Sequence, residues 1–85
     1  MNDTETWITT HQGDVASFYI DKMRSLPQPD AARSYLMEEI AELQYALVNE
    51  DSHQQLKEMA DVMYTLYGYA IARGWNLHKA FELVH

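Results

Sequence analysis

The sequence predicts an all-α protein, and three features of the chain support this. Only two prolines and three glycines occur among its 85 residues, so few positions interrupt a helix. Runs of β-branched residues, which favour strands, are almost absent. Apolar residues recur at the three- and four-residue spacing of an amphipathic helix. We expect one domain over residues 1–85, an antiparallel helical hairpin with flanking helices, completed as a helical bundle by oligomerisation.

The first predicted helix covers roughly residues 14–25. Residues 1–13 precede it and are expected to be frayed. Pro27 and Pro29 end the helix, because neither ring fits a helix interior. One side of the helix is apolar, with Val15, Phe18, Met23 and Leu26.

The second predicted helix has Asp30 as its N-cap and runs to about Asn49. Ser52 and Gln55 have the spacing of a capping box that opens a third helix. These two helices are joined by about three residues around Glu50, and so short a link forces an antiparallel hairpin. The predicted apolar stripe of the second helix consists of Leu36, Ile40, Leu43 and Leu47.

The third predicted helix continues to about Arg73, where Gly74 is suited to the left-handed residue that ends a helix. Asn76 is the expected N-cap of a fourth helix that is still running when the sequence ends at His85. The third helix is apolar nearly all round, so we expect a second subunit to cover part of it.

Four carboxylates occupy matching positions on the two hairpin helices. Glu39 and Glu42 are three residues apart, and so are Glu58 and Asp61, so each pair shares a helix face. Folding the hairpin at residue 50 brings Glu42 level with Glu58, and Glu39 level with Asp61. The sequence therefore predicts two rungs of carboxylates in the groove between the helices.

Such a cluster is unstable without a cation, because like charges at this spacing repel each other. Asp61 is the only charged residue in the apolar segment 59–72, and a buried carboxylate needs a partner. Lys57 is the nearest cation in sequence and can neutralise one carboxylate but not four. Oxygen ligands without Cys or His favour Mg²⁺, for which Mn²⁺ can substitute. Mg²⁺ usually keeps water and phosphate ligands, so a phosphorylated substrate is expected, with Glu38 handling the attacking water.

Composition and charge exclude several classes of partner. The net charge is −7, and the six basic residues form no stripe, which argues against nucleic acid. The longest apolar run is too short to span a membrane, and the amino terminus lacks the pattern of a signal peptide. A cytoplasmic protein is therefore expected. Arg33 and Lys57 are candidates to contact phosphate oxygens of the substrate.

Other interpretations of these residues are open. The glutamates can form an ordinary solvated helix face, which would make the chain a non-catalytic helical module or an antitoxin-like partner with a vestigial acidic groove. Two Glu-x-x-His pairs have the spacing of di-iron sites, but they share no predicted interior face. No glycine-containing acidic loop suggests calcium. The aromatic residues of the third helix and after it are assigned to the core or a subunit interface: Tyr64, Tyr67, Tyr69 and Trp75.

The carboxylate pattern resembles the EExxE…ExxD signature of the MazG-like all-α nucleoside triphosphate pyrophosphohydrolases. Here it reads Glu38-Glu39-x-x-Glu42, fifteen further residues, then Glu58-x-x-Asp61. The flanking segments 57–64, 67–68 and 74–77 look like those of the small single-domain bacterial and phage members. Small members continue past the fourth helix into a segment bearing Asn and Lys that helps to complete the active site, whereas this sequence ends at residue 85. Either the fourth helix is truncated here, or the contribution of that segment is missing.

The resemblance implies a fold, an activity and roles for residues. It implies Mg²⁺-dependent hydrolysis of nucleoside triphosphates, deoxy or ribo, to the monophosphate and pyrophosphate, as in house-cleaning of the nucleotide pool. It implies assembly into homodimers or homotetramers. The implied Mg²⁺ ligands are Glu39, Glu42, Glu58 and Asp61, with Glu38 beside the metal and the attacking water.

Overall fold

The computed structural model describes residues 11–23 and 27–84 and has no strand in that part of the chain. A π-helical turn, Tyr19–Met23, directly follows the first helix. None of the described helices has the length and apolar character needed to cross a bilayer. The predicted all-α class is confirmed. The described α-helices are α1 (His11–Phe18), α2 (Pro29–Asn49), α3 (Ser52–Arg73) and α4 (Leu77–Val84).

Residues 11–13, which were expected to be frayed, are helical and belong to α1. The side chain of Gln12 connects this part of the chain to a distant segment. Its Nε2 donates to the carbonyl of Trp75 at 2.7 Å, and its Oε1 accepts from the backbone N–H groups of Leu77 at 2.8 Å and His78 at 3.1 Å. Gln12 therefore ties α1 to the start of α4. The predicted fraying of residues 1–10, and the predicted apolar contact of Leu26, lie outside the described residues.

Helix α2 begins one residue before the predicted N-cap. Gln28 is the N-cap and makes no side-chain capping bond, and Pro29 occupies the first turn. Proline suits that position because its missing N–H would have no partner there. Asp30 is consequently inside the helix, where it forms an exposed ion pair with Arg33 at 3.3 Å. The prediction of Asp30 as the N-cap is wrong.

The caps of α3 differ from prediction at one end only. Asp51 is the N-cap, and its carboxylate accepts from the N–H of Gln54 at 3.0 Å. Gln55 instead donates to the carbonyl of Glu50 at 2.9 Å, so the predicted Ser52–Gln55 capping box is wrong. Gly74 does end the helix, with φ at 74°. Only a residue without a Cβ adopts this left-handed conformation at little cost.

The core of the chain is thin. The buried apolar residues are few, and on α2 they are alanines; Ala46 has no exposed surface. Leu47, at the end of the predicted stripe, is 50% exposed, so the stripe is wrong at that position. No large side chain in the described part of the chain is fully buried. The residues that form the apolar core are Val15, Ala32, Ala46, Ala70 and Ile71.

Replacing Asp51 with alanine should destabilise the hairpin, because the N–H of Gln54 then loses its acceptor. We expect the free energy of unfolding to fall by about 1 kcal/mol, the usual cost of losing an N-cap. Urea unfolding followed by circular dichroism measures the difference. Ser52→Ala is the control and should change the free energy of unfolding far less; an equal loss would support the capping box instead.

Candidate active site

The antiparallel hairpin brings three of the four predicted ligands together. Glu39 of α2 and Glu58 and Asp61 of α3 each place one carboxylate oxygen within 4.8 Å of the others. Glu58 is buried, and the other two side chains are half-buried. Among the described residues, these three form the one group with the geometry to hold a metal ion. We call them the acidic triad.

The other two glutamates of the motif lie at the edge of the triad. Glu42 is exposed and does not share the close spacing of the three. Its negative charge nevertheless reaches Glu39 and raises the pKa of that carboxyl group. Glu38 is also exposed, one residue from Glu39. Metal ligation by Glu42 and a catalytic role for Glu38 both stay predictions.

The electrostatics of the triad favour a bound cation. Burial raises the pKa of Glu39 above its ordinary value of 4.5, and the charges of Glu42, Asp61 and Glu58 raise it further. The Oε2 atoms of Glu39 and Glu58 are buried, and no group in the described part of the chain donates a hydrogen bond to them. Buried acceptors without a donor are costly. A divalent ion would satisfy both atoms, because hard cations such as Mg²⁺ are bound by carboxylate oxygens.

Lys57 is the cation that the triad holds. Its Nζ lies 3.2 Å from Oε1 of Glu58 and 3.1 Å from Oδ2 of Asp61. These two carboxylates raise the pKa of the lysine well above its ordinary range. Lys57 thus contacts two carboxylates, where the sequence suggested that it could neutralise one. Contact of Lys57 with phosphate stays a prediction, and so does contact of Arg33, which is exposed and paired with Asp30 near the start of α2.

An aromatic cavity of about 390 Å³ opens beside the acidic triad. Glu39 and Asp61 line one part of it, and the remaining lining is mostly aromatic. The sequence did not predict this cavity. Tyr64 was expected in the core or at a subunit interface, and no role was predicted for Tyr19 and Tyr35. Its aromatic lining residues are Phe18, Tyr19, Tyr35 and Tyr64.

Tyr19 is held against α3 at a glycine. A Cβ placed on Gly68 would lie 3.2 Å from the Tyr19 hydroxyl oxygen, closer than most side-chain contacts. Burial raises the pKa of Tyr19, and the neighbouring Tyr64 raises it further. The π-helical turn that begins at Tyr19 changes the helical phase at this point, and such turns are frequent at functional sites.

The alternative metal sites gain no support from the described residues. Glu50 and His53 do not join a third ligand, and the same is true of Glu82. His78 is half-buried, and its Nε2 lies 2.6 Å from Oε1 of Glu82. The second residue of the other Glu-x-x-His pair, His85, lies outside the described residues.

Comparison with protein families gives one match over nearly the whole chain. A family model described as phosphoribosyl-ATP pyrophosphohydrolase matches residues 7–85. Comparisons with curated proteins and with solved structures give no significant match. The family match agrees with the all-α pyrophosphohydrolase resemblance of the carboxylate motif, while the small single-domain subtype stays a prediction.

Replacing Glu39 with glutamine should stabilise the metal-free protein at neutral pH. The pKa of Glu39 is raised on folding, so the folded state prefers the protonated carboxyl group. The resulting penalty is absent below the unfolded pKa and develops as the pH rises through the folded pKa. Urea unfolding in chelator should show the variant more stable at pH 7, with the gain shrinking towards pH 4. Glu38→Gln removes the same charge from an exposed position and should give no such gain; an equal gain would indicate a general charge effect.

Replacing Lys57 with methionine should increase the affinity for Mg²⁺ several-fold. The lysine occupies two triad carboxylates, and an arriving ion must compete with it. Isothermal titration of the wild type and the variant with MgCl₂ measures the two dissociation constants. Lys79→Met, an exposed substitution on α4, is the control for net charge. Weaker Mg²⁺ binding by Lys57→Met would contradict competition and would mean that the lysine assists the metal.

Proposed function

We propose that the chain, which belongs to the phosphoribosyl-ATP pyrophosphohydrolase family, hydrolyses a nucleoside triphosphate. The proposed products are the monophosphate and pyrophosphate, and the proposed reaction depends on Mg²⁺. Family membership makes the chain a pyrophosphohydrolase. The observation that carries the metal dependence is the acidic triad, with oxygens of Glu39, Glu58 and Asp61 within 4.8 Å of one another. Glu42 is proposed as a further ligand, because it lies close enough to influence the ionisation of Glu39.

The proposed ligands suit a hard ion that also contacts phosphate. Bound Mg²⁺ would screen the negative phosphates and polarise the phosphorus under attack. Three close carboxylates would repel a triphosphate by themselves, so the ion is also required for the substrate to approach. Two buried oxygens, Oε2 of Glu39 and Oε2 of Glu58, lack hydrogen-bond donors among the described residues and are available to it.

Two further roles belong to residues at the edge of the triad. Glu38 is exposed beside Glu39, where it can accept a proton from water that attacks the α-phosphorus. Lys57 would exchange the triad carboxylates for phosphate oxygens once the metal is bound, because its long stem is mobile and its head is exposed. Arg33, near the start of α2, is a further candidate to contact phosphate oxygens of the substrate.

The identity of the nucleoside is the finer part of the proposal. The family description names phosphoribosyl-ATP, which carries the same α–β phosphoanhydride bond as ordinary nucleoside triphosphates. We therefore propose an adenine nucleotide as the first substrate to test. House-cleaning hydrolysis of other nucleoside triphosphates, deoxy or ribo, is the broader alternative within the same chemistry.

We further propose that the site works in an assembly of identical chains, a dimer or a tetramer. Apolar side chains on α3 have large exposed fractions, such as 64% for Leu56, 47% for Met63 and 40% for Leu66. Removing them from water would stabilise the protein at roughly 25 cal/mol per Å². Since α2 and α3 also carry the triad, a subunit that covers α3 would lie near the active site.

Hydrolysis in ¹⁸O-water tests the reaction. Phosphoribosyl-ATP and ATP should each yield a monophosphate and pyrophosphate in the presence of Mg²⁺, with the label on the monophosphate because water attacks the α-phosphorus. Asp61→Ala should lower kcat/KM by about 100-fold or more, the scale of losing one charge-stabilising group. Glu38→Gln should lose rate on a similar scale while its Mg²⁺ affinity stays close to that of the wild type.

The exposed substitution Asp14→Asn on α1 is the matched control and should leave turnover unchanged. Release of orthophosphate with a diphosphate product would contradict the proposal. The absence of any metal-dependent product would favour the non-catalytic helical module instead.

Light scattering at micromolar concentration tests the assembly. We expect a dimer or tetramer mass, because the thin core of one chain leaves large apolar side chains exposed. Leu66→Glu should dissociate the assembly, while Asp30→Ala, an exposed change at the start of α2, should leave the mass unchanged. A monodisperse wild-type monomer would contradict the assembly without affecting the proposed chemistry.

A further inference from the structure

The aromatic cavity and the acidic triad form one continuous site. Glu39 and Asp61 belong to the triad and also line the cavity. A ligand in the cavity therefore reaches the metal-binding carboxylates without crossing another element. The volume of about 390 Å³ lies in the range of small-molecule sites, about 300–1,000 Å³. The cavity is thus suited to one part of a ligand whose other part is at the triad.

The aromatic lining of the cavity indicates which part of the ligand it would bind. Phe18 stands edge-on to Tyr19 and to Tyr64, with interplanar angles of 79° and 75°. The rings of Tyr19 and Tyr64 are tilted by 32° with centroids 6.3 Å apart. Tyr64 is 39% exposed and Phe18 is 43% exposed, so these rings have free surface. Such surfaces stack on planar aromatic groups and offer no cation for phosphate.

Two backbone features hold the aromatic lining of the cavity in place. The π-helical turn starts at Tyr19, and the absence of a side chain on Gly68 leaves room for the Tyr19 hydroxyl. Glycine in the interior of α3 costs about 0.5–1 kcal/mol relative to alanine in general helix studies. The glycine is explained if the close approach of Tyr19 to α3 is needed to form the lining of the cavity.

We infer that the aromatic cavity binds the nucleobase of the substrate, with Tyr64 and Tyr19 as the base-contacting residues. The inference rests on the proposed function, since it takes the triphosphate to lie at the metal on the acidic triad. The base, at the other end of the nucleotide, then enters the adjoining cavity and stacks on exposed ring surface. Tyr35 is 61% exposed at the same cavity and contributes to its rim.

Binding titrations with two triphosphate ligands test this inference without turnover. The probes are α,β-methylene-ATP, which has a base, and inorganic tripolyphosphate, which has none, each titrated calorimetrically with Mg²⁺ present. Tyr64→Leu should weaken binding of the nucleotide by about tenfold to a hundredfold, the scale of losing one base-stacking ring. Its affinity for tripolyphosphate should stay the same. Tyr64→Phe keeps the ring and should retain most of the nucleotide affinity.

Tyr45→Leu is the matched control, because Tyr45 is 62% exposed on α2 and lines none of the cavities described above. It should leave both affinities unchanged. Equal losses for the two probes in Tyr64→Leu, or no loss for the nucleotide, would overturn the base-binding assignment. Failure of the proposed function is distinguishable: the wild type would bind the nucleotide analogue and yet release no pyrophosphate from ATP or phosphoribosyl-ATP. If the wild type binds neither probe, both proposals fall.

Discussion

The mutual repulsion of three carboxylates across one helical hairpin is the constraint on which the rest of the site depends. Glu39, Glu58 and Asp61 are within 4.8 Å of one another, in surroundings that partly exclude water. Burial raises the pKa of Glu39, the neighbouring carboxylates raise it further, and Lys57 bridges the other two carboxylates of the triad. A protein keeps such a cluster at some cost in stability, because buried charges need compensation. The cost is reasonable where a divalent ion supplies the compensation and takes part in the reaction.

The hairpin that imposes this constraint has small residues at its buried positions. Ala46 is completely buried on α2, and Ala70 is buried on α3. Larger apolar side chains of the same helices stay substantially exposed within one chain. A short chain buries a smaller fraction of its surface than a long one, so an 85-residue chain would gain stability from the proposed association. The thin core and the proposed assembly are therefore two aspects of one property, the small size of the domain.

The same two helices carry the acidic triad and part of the aromatic cavity. Asp61 and Tyr64 are three residues apart on α3, so they share a face, and both line the aromatic cavity. One face of α3 thus presents an acidic residue of the triad and an aromatic residue beside it. An acidic residue and an aromatic residue at neighbouring positions would suit the proposed nucleotide, which joins an aromatic base to a charged phosphate chain.

The sequence by itself determined the helical class, the hairpin and the membership of three carboxylates in one cluster. These follow from local rules: helix spacing fixes which residues share a face, and a short link fixes an antiparallel pair. Tertiary structure decided the features that depend on contacts between distant segments. Gln12 caps α4 from a position more than sixty residues away, and no local pattern indicates that bond. The N-cap of α2 lies two residues before the predicted Asp30, and the N-cap of α3 lies one residue before the predicted Ser52. Several neighbouring residues can occupy a cap position, and propensity alone does not rank them. The aromatic cavity forms where α1, the π-helical turn, α2 and α3 converge. Convergence of separate elements is a property of packing rather than of sequence spacing.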